Sequence, residues 1–313
     1  MLELMLFLWI ITACIILWEK RHVRMVLWLG LSSFVASIIF FILGSPDVAM
    51  AEAAISVFST IFFIVCLEKY YTLRNPEQKV VSSQKNDSLV SHGLRILFAV
   101  FLFGLFMYFS PDTYFDPHLK ELYIRRAATD VGGENIVGAI YLGYRVFDTL
   151  FEALVLVVAV VAVIHMSHFD ETPPKDEKQS EVRKSNVALF LMRIVAPLTI
   201  VFGIYLVVNG FLTAGGGFQG GLAIAAFFIC RYMVYDIYDI SMSKVNKMEE
   251  MVFAAISILA VLIVFQEAQA LIPYHLLPMF QNIYLIAMNG LVGLKVACGF
   301  LILFYRYIAI ERS

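Results

Sequence analysis

The chain is built from long apolar stretches separated by short polar segments. A helix needs about 20 apolar residues to cross the hydrocarbon of a bilayer, and only a helix satisfies the backbone of such a stretch in lipid. The pattern therefore predicts an all-α integral membrane protein with about nine transmembrane helices. The predicted spans are 2–18, 24–43, 47–67, 95–109, 135–165, 187–208, 218–236, 250–270 and 284–305.

Two polar stretches interrupt this pattern more strongly than the others. Residues 70–92 and 167–186 are rich in Ser, Lys, Glu, Gln and Pro, a composition typical of linkers outside the membrane. The second stretch separates five predicted spans from four. We therefore expect a five-helix module over 1–166, a cytoplasmic linker over 167–186 and a four-helix module over 187–313.

Composition supports the membrane assignment and excludes several other classes of protein. Hydrophobic residues make up 61% of the 313 residues and charged residues only 15%, whereas a soluble domain carries about 25% charged residues. The net charge of −2 gives no general attraction to nucleic acid. The four cysteines lie inside apolar runs without metal-ligand spacing, so we expect no disulfide, metal site or cofactor.

The Lys and Arg residues indicate the orientation of the spans. If the N-terminus lies outside, eighteen of the 23 Lys and Arg residues fall in cytoplasmic loops or at their edges. The outer loops then hold only Lys120, Arg125 and Arg126. This asymmetry follows the positive-inside rule and predicts an outer N-terminus and a cytoplasmic C-terminus.

The third predicted span carries two acids. Ser45 and Pro46 are favoured residues at a helix start, and Asp47 at that position fits either a cap at the membrane interface or a residue that binds ions. Glu52 lies about 7–8 Å deeper along the helix, where no cap is needed. A charge at that depth is costly and marks an ion pathway by default.

The fifth predicted span carries three charged residues, Arg145, Asp148 and Glu152, at i, i+3 and i+7, which places them on one helix face. Arg145 can neutralise Asp148, which leaves Glu152 as an unpaired acid able to exchange protons. The alternative is a purely structural Arg–Asp pair. With about 30 residues this span is also longer than one crossing requires, so a break in its middle is expected.

The last predicted span contains Lys295, about 11 residues from either end, which is too deep for its ammonium group to reach the interface. It therefore needs a carboxylate or water as a partner. A buried lysine suits a proton relay, and a static counter-ion for the acid of another subunit is the alternative.

A run of glycines precedes the seventh predicted span. Residues 215–220 formally match G-x-G-x-x-G, but no strand precedes them and a membrane helix follows, which excludes a dinucleotide site on its sequence context. We expect these glycines to allow close backbone approach or a non-helical entry into the span.

Several of these phrases resemble a known family. Residues 187–310, above all VNGFLTAGGGFQGGLAIAA (208–226), resemble the B subunit of Mrp-type multisubunit Na⁺/H⁺ antiporters. Residues 1–166 resemble the C-terminal extension of the large A subunit, through SPDVAMAEA (45–53) and ENIVGAIYLGYRVFDTLFEALVL (134–156). That extension also occurs as small separate subunits in energy-converting membrane-bound hydrogenases.

The resemblance implies a non-enzymatic subunit of a cation/proton transport module in the cell membrane. Its expected partners are other antiporter-type membrane subunits and the lipid bilayer, with Na⁺ and H⁺ as the ions. The residues that match polar positions of the family pattern are Asp47, Glu52, Arg145, Asp148 and Glu152.

The chain also departs from the family. Phe211 and Ala214 stand where the family often has His and Pro, and Gly143 stands where it often has an acid. A proton role for the glycine-rich loop is therefore not expected. The alternative function is a structural scaffold in a redox-driven membrane complex such as a hydrogenase, with the acids pairing neighbouring residues.

Overall fold

A computed structural model describes residues 1–73, 117–166, 186–235, 241–269 and 277–309, together with single helical positions between 97 and 108. The predicted fourth span, 95–109, lies outside the described residues except for those positions. The predicted linker over 167–186 also lies outside them, except for Asn186.

The regular structure of the described residues is helical throughout. The helices are α1 (Leu2–Trp18), α2 (His22–Ile42), α3 (Pro46–Leu73), α4 (Pro117–Asp130), α5 (Ile136–Ala139), a π-helix (Ile140–Tyr144), α6 (Val146–Met166), α7 (Asn186–Asn209), α8 (Gly217–Tyr235), α9 (Met242–Gln269) and α10 (Leu277–Ala309).

Five of these helices are long and apolar enough to cross a membrane: α2, α3, α6, α9 and α10. Three further apolar helices are shorter, namely α1, the Arg193–Asn209 part of α7 and the Gly217–Arg231 part of α8. The all-helical, multi-pass membrane architecture predicted from the sequence is confirmed. The polar helix α4 falls in a predicted outer loop, where hydropathy gives no signal for a helix.

Helix α10 forms the centre of the molecule. Within its apolar span 67% of the residues are buried, against 28% or less in the other four candidate spans. It packs against α6, α8 and α9, and α7 packs on α8. The hydrophobic core joins residues from both halves of the chain, including Phe58 on α3, Leu142, Leu222 and Met288. Many large apolar residues of α1, α2, α6 and α7 are exposed around this core, as expected of side chains that face lipid or other membrane subunits.

The fifth predicted span is interrupted at the π-helix between α5 and α6, near its start. The expected break in the middle of the span is absent, because α6 continues through that region as one helix. Asn135 begins the segment by accepting hydrogen bonds from the N–H groups of Val137 and Gly138. Two side chains satisfy carbonyls that the irregular turn exposes: Thr149 Oγ1 donates to Tyr141 O at 2.5 Å, and Tyr284 Oη donates to Leu142 O at 2.7 Å. A π-helical turn inside a helix is often found at functional sites.

Candidate functional site

Asp47 is buried and connects three segments of the chain. Its Oδ1 accepts hydrogen bonds from Asn135 Nδ2 at 2.9 Å and from the backbone N–H of Gly215 at 3.1 Å. Gln219 Nε2 donates to the backbone oxygen of Asp47 at 3.5 Å. A role as helix cap of α3 at the membrane interface does not explain these bonds. They join Asp47 to Asn135 at the start of the fifth span, to the glycine-rich loop and to the first turn of α8.

Asn135 forms three further hydrogen bonds to the same loop. Its Nδ2 also donates to Gly210 O and Thr213 O, both at 3.0 Å, and its backbone N–H donates to Phe211 O at 3.0 Å. Sequence reasoning missed this residue because an uncharged Asn at the edge of a span is usual. Its position directly before an apolar run, as a possible N-cap, is the only local signal.

The glycine-rich loop enters α8 in a conformation that favours glycine. Gly215 and Gly216 have φ angles of 153° and 150°, in the region that side chains rarely adopt. Gly217 then begins α8 and approaches α10 so closely that a Cβ would lie 2.5 Å from Asn289 O. Both predicted roles of these glycines, close approach and non-helical entry, are confirmed.

Asn289 on α10 is fully buried behind this loop. Its Oδ1 accepts from Tyr141 Oη at 2.9 Å and from the backbone N–H of Gly217 at 3.0 Å. Its Nδ2 has no hydrogen-bond partner among the described residues. Asn289 therefore joins the π-helix, α8 and α10, and it too carried no signal in the sequence pattern.

Glu52 lies on α3 in a small cavity rich in hydroxyl groups. Ser33 Oγ on α2 donates a hydrogen bond to Glu52 Oε1. The cavity has a volume of about 280 Å³, and Ser32, Ser56 and Ser59 contribute to its wall. Glu52 is half-buried. The serine hydroxyl groups around it provide polar surroundings within a membrane-spanning helix.

Arg145 and Asp148 form the ion pair that their spacing predicts. Arg145 Nη2 lies 2.5 Å from Asp148 Oδ2, although Arg145 belongs to the end of the π-helix rather than to α6. The side chains are 64% and 48% exposed. The pair thus lies on the surface of this chain and not in its interior.

Glu152, one turn further along α6, lines a second cavity. This cavity has a volume of about 560 Å³ and lies between α6, α8 and α10. Its walls are mostly apolar, with Phe218 from α8, but Lys295 from α10 also lines it. The structure therefore brings two of the predicted site residues, from opposite halves of the chain, to one cavity.

Lys295 is buried and has a carboxylate partner in its own chain. Its Nζ bonds to Glu249 Oε1 on α9, and the two side chains are 1% and 5% exposed. The ammonium group also lies 5.3 Å from the centre of the Phe253 ring, a cation–π contact. The partner that Lys295 requires is thus present, and it belongs to this chain rather than to another subunit.

Sequence reasoning missed Glu249 because the predicted eighth span begins at 250. The helix begins earlier, at Met242, so Glu249 lies seven residues inside it. A signal was available: a lysine deep in one span requires an acid, and Glu249 and Glu250 stand directly before another apolar run.

Family models match both halves of the chain. Residues 187–302 match MnhB, a domain related to the MnhB subunit of Na⁺/H⁺ antiporters. Residues 7–71 match MbhD, the D subunit of the MBH family.

Curated relatives match about half of the chain. The protein named "Putative antiporter subunit mnhA2" from Staphylococcus aureus strain JH9 is 26% identical over 160 residues, as is its counterpart from strain JH1. The match covers 51% of this chain but only 19% of the staphylococcal protein.

Two solved structures share the fold. The Mrp complex from Dietzia sp. DQ12-45-1b contains a chain with a TM-score of 0.72 at 19% identity, covering 99% of this chain and 35% of that one. The membrane-bound sulfane sulfur reductase, an archaeal respiratory membrane complex, contains a chain with a TM-score of 0.55 at 24% identity. That match covers 71% of this chain and 98% of the archaeal one. The resemblance noted in the sequence is therefore confirmed: this chain joins a segment similar to the C-terminal part of the large MnhA-type antiporter protein to a domain related to MnhB.

Proposed function

We propose that this chain is a non-enzymatic subunit of a multisubunit membrane complex that exchanges Na⁺ and H⁺ across the cell membrane. Similarity to an MnhB-related domain over residues 187–302 and to an antiporter subunit over 160 residues supports this function. The single observation that carries it is the charged surface formed by Arg145 and Asp148 on a membrane-spanning segment.

The charged surface lies at the start of an apolar span. Arg145 directly precedes Val146–Met166, which is long and apolar enough to cross a membrane. Asp148 lies in the first turn of that helix, α6. Apolar residues also precede the pair from Ile136 onwards, so both charges lie within the predicted span 135–165 and not in a polar loop.

A charged side chain costs roughly 2.5–3.5 kcal/mol at the centre of a bilayer on insertion scales. Arg145 and Asp148 are both exposed on this chain, so lipid would be a poor neighbour. Another protein subunit is the neighbour that removes the cost. We therefore propose that this face docks against the antiporter-type subunits of the complex.

Within the proposed complex, the ions follow the charged residues of the third, fifth and last spans. Glu52 with its serine hydroxyls and Glu152 with its cavity have the space to exchange a cation or a proton. Asp47 holds the glycine-rich loop in place, Arg145 and Asp148 keep the surface near Glu152 polar, and Lys295 is the candidate relay.

The proposed topology has nine transmembrane helices with the N-terminus outside. Five candidate spans and three shorter apolar helices account for eight crossings, and the predicted span 95–109 supplies the ninth. In a cysteine-free variant, a cysteine placed at Lys120 should react with an impermeant thiol reagent in intact cells, whereas one at Arg21 should be protected. The reverse pattern would contradict this orientation.

Glu152→Gln tests the function directly. The substitution keeps the shape and hydrogen bonding of the side chain but removes the exchangeable charge. Cation-driven proton movement in vesicles should fall at least tenfold while the amount of intact complex on a native gel is unchanged. Glu134→Gln is the matched control, since Glu134 is exposed and precedes the broken span. Normal transport in Glu152→Gln would instead favour the scaffold function in a redox-driven complex.

A further inference from the structure

We propose that the buried Glu249–Lys295 pair is a proton relay that receives protons from Glu152 through the cavity between α6, α8 and α10. This inference rests on the proposed function and adds Glu249, a residue of the second half of the chain, to the path. The basis is the position of four polar side chains in an otherwise apolar part of the molecule: Glu152, Lys295, Glu249 and Asn246.

The first observation is the burial of the pair itself. Replacing a buried ion pair by apolar residues is often neutral or stabilising, so stability alone is a weak reason for keeping two charges there. Lys295 and Glu249 are nevertheless almost completely buried on two of the helices that form the core. A side chain that can change its charge during transport gives the pair a role that apolar residues could not fill.

The second observation is the cavity that leads to the pair. Glu152 and Lys295 are its only ionisable lining residues among those described, and they come from opposite halves of the chain. At about 30 Å³ of liquid volume for each water, 560 Å³ corresponds to the volume of roughly 19 waters, for which Glu152 and Lys295 are polar partners. Thr149 adds a hydroxyl to the wall between α6 and the cavity.

The third observation is a buried polar atom of Asn246, near Glu249 on α9. Asn246 is three residues before Glu249, so both residues lie on one face of α9. Asn246 Oδ1 is buried and has no hydrogen-bond partner among the described residues. A water is the simplest partner for such an atom, and it would stand between Glu249 and the start of α9 at Met242.

Lys295, Glu249 and Glu152 can pass a proton from one to the next in three steps. In the resting pair, Lys295 is an ammonium and Glu249 a carboxylate. A proton passes from Nζ to Oε1, which leaves a neutral amine and a carboxylic acid. The acid then releases its proton to water beside Asn246, and the amine takes a new proton from the carboxylic acid of Glu152 through water in the cavity. The Glu152 carboxylate then takes up a proton at the exposed side of α6, which closes the cycle. Each cycle moves one proton and breaks only N–H and O–H bonds.

Lys295→Arg is the sharpest test because a guanidinium stays protonated. It keeps the positive charge beside Glu249 and, with the cavity next to it, has room for the larger head group, but it cannot release a proton. Measured in vesicles with the whole complex, cation-driven proton movement should fall at least tenfold while the complex still assembles. Lys244→Arg, at an exposed position on the same helix as Glu249, should transport normally.

Glu249→Gln tests the acid independently, with its exposed neighbour Glu250→Gln as control. The amide still accepts a hydrogen bond from Lys295 but cannot carry a proton, so a loss of at least tenfold is expected again. If either variant fails to assemble, the double variant Glu249→Leu with Lys295→Leu replaces it. An intact double variant that transports poorly supports the relay.

Normal transport in any of these variants, with intact complex, would overturn the relay. Its failure is distinguishable from failure of the proposed function. If Glu152→Gln is inactive while Lys295→Arg is active, the path through α6 stands and only the relay is wrong. If Glu152→Gln is active as well, the proposed ion path itself is wrong.

Discussion

Two ion pairs among the described residues lie in or directly beside apolar spans, and their environments are opposite. Lys295 and Glu249 are 1% and 5% exposed, whereas Arg145 and Asp148 are 64% and 48% exposed. The first pair is complete within this chain and belongs to the core around α10. The second pair is exposed on the surface of this chain. The core around α10 therefore satisfies its charges within the chain, whereas the face of α6 with Arg145 and Asp148 is the one that we propose to dock against a partner.

Breaking the inner pair should have the largest effect on stability. Glu249→Leu leaves Lys295 as a buried cation without its carboxylate, which typically costs about 3–5 kcal/mol. The midpoint of thermal unfolding of the purified protein in detergent should fall sharply, and Lys295→Leu added to Glu249→Leu should recover most of it. Glu250→Leu, at the exposed neighbouring position, should be close to wild type. If Glu249→Leu and Glu250→Leu lowered the unfolding temperature equally, the buried pair would contribute no more to stability than an exposed charge.

Asp47→Ala should have an intermediate effect. It removes the acceptor for Asn135 Nδ2 and for the backbone N–H of Gly215, and a buried donor left without a partner costs about 1–3 kcal/mol. Because Asn135 keeps its other acceptors, the loss should stay below that of Glu249→Leu. Thermal unfolding measures it, and faster proteolysis at residues 210–216 should accompany it. Unchanged stability and unchanged cleavage would show that the loop does not depend on Asp47.

Asp148→Asn should have the smallest effect on the chain by itself. Exposed ion pairs are worth about 0.2–1 kcal/mol, so the isolated protein in detergent should unfold at nearly the wild-type temperature. Recovery of partner subunits with the tagged chain should fall more clearly, because the proposed interface would then enclose Arg145 without its carboxylate. Arg145→Leu combined with Asp148→Leu should restore part of that recovery. A large loss of stability in the isolated variant would mean that the pair is not a surface feature.

The helices and the charged positions could be predicted from the sequence because both depend on local properties. Apolar length fixes where a span lies, and a charge inside an apolar run is visible without any knowledge of its neighbours. The length of the fifth span indicated that it is irregular, but not that the irregular turn lies near its start. Helix α4 was not, because its few buried residues, such as Ala127, acquire their contacts only from the folded core.

The polar contacts between spans could not be predicted from the sequence, for a different reason. Asn135 and Asn289 are uncharged, and their bonding partners lie far away along the chain, so no local pattern marks them. Glu249 was missed because hydropathy places the end of a span at the first charge, although the helix continues beyond it. The pairing of Glu152 with Lys295 at one cavity depends on how α6 packs against α10, which hydropathy does not specify.

The glycines on α8 have a mechanical consequence for transport. A Cβ at Gly221 would lie 2.4 Å from Gly293 O, and one at Gly220 would lie 2.5 Å from Gly203 O. Backbone this close to backbone fixes the spacing of α7, α8 and α10 at these points, and packed interiors resist continuous deformation. We therefore expect these three helices to move together when the proposed complex changes state. A displacement would then be taken up at the cavity that separates α8 and α10 from α6.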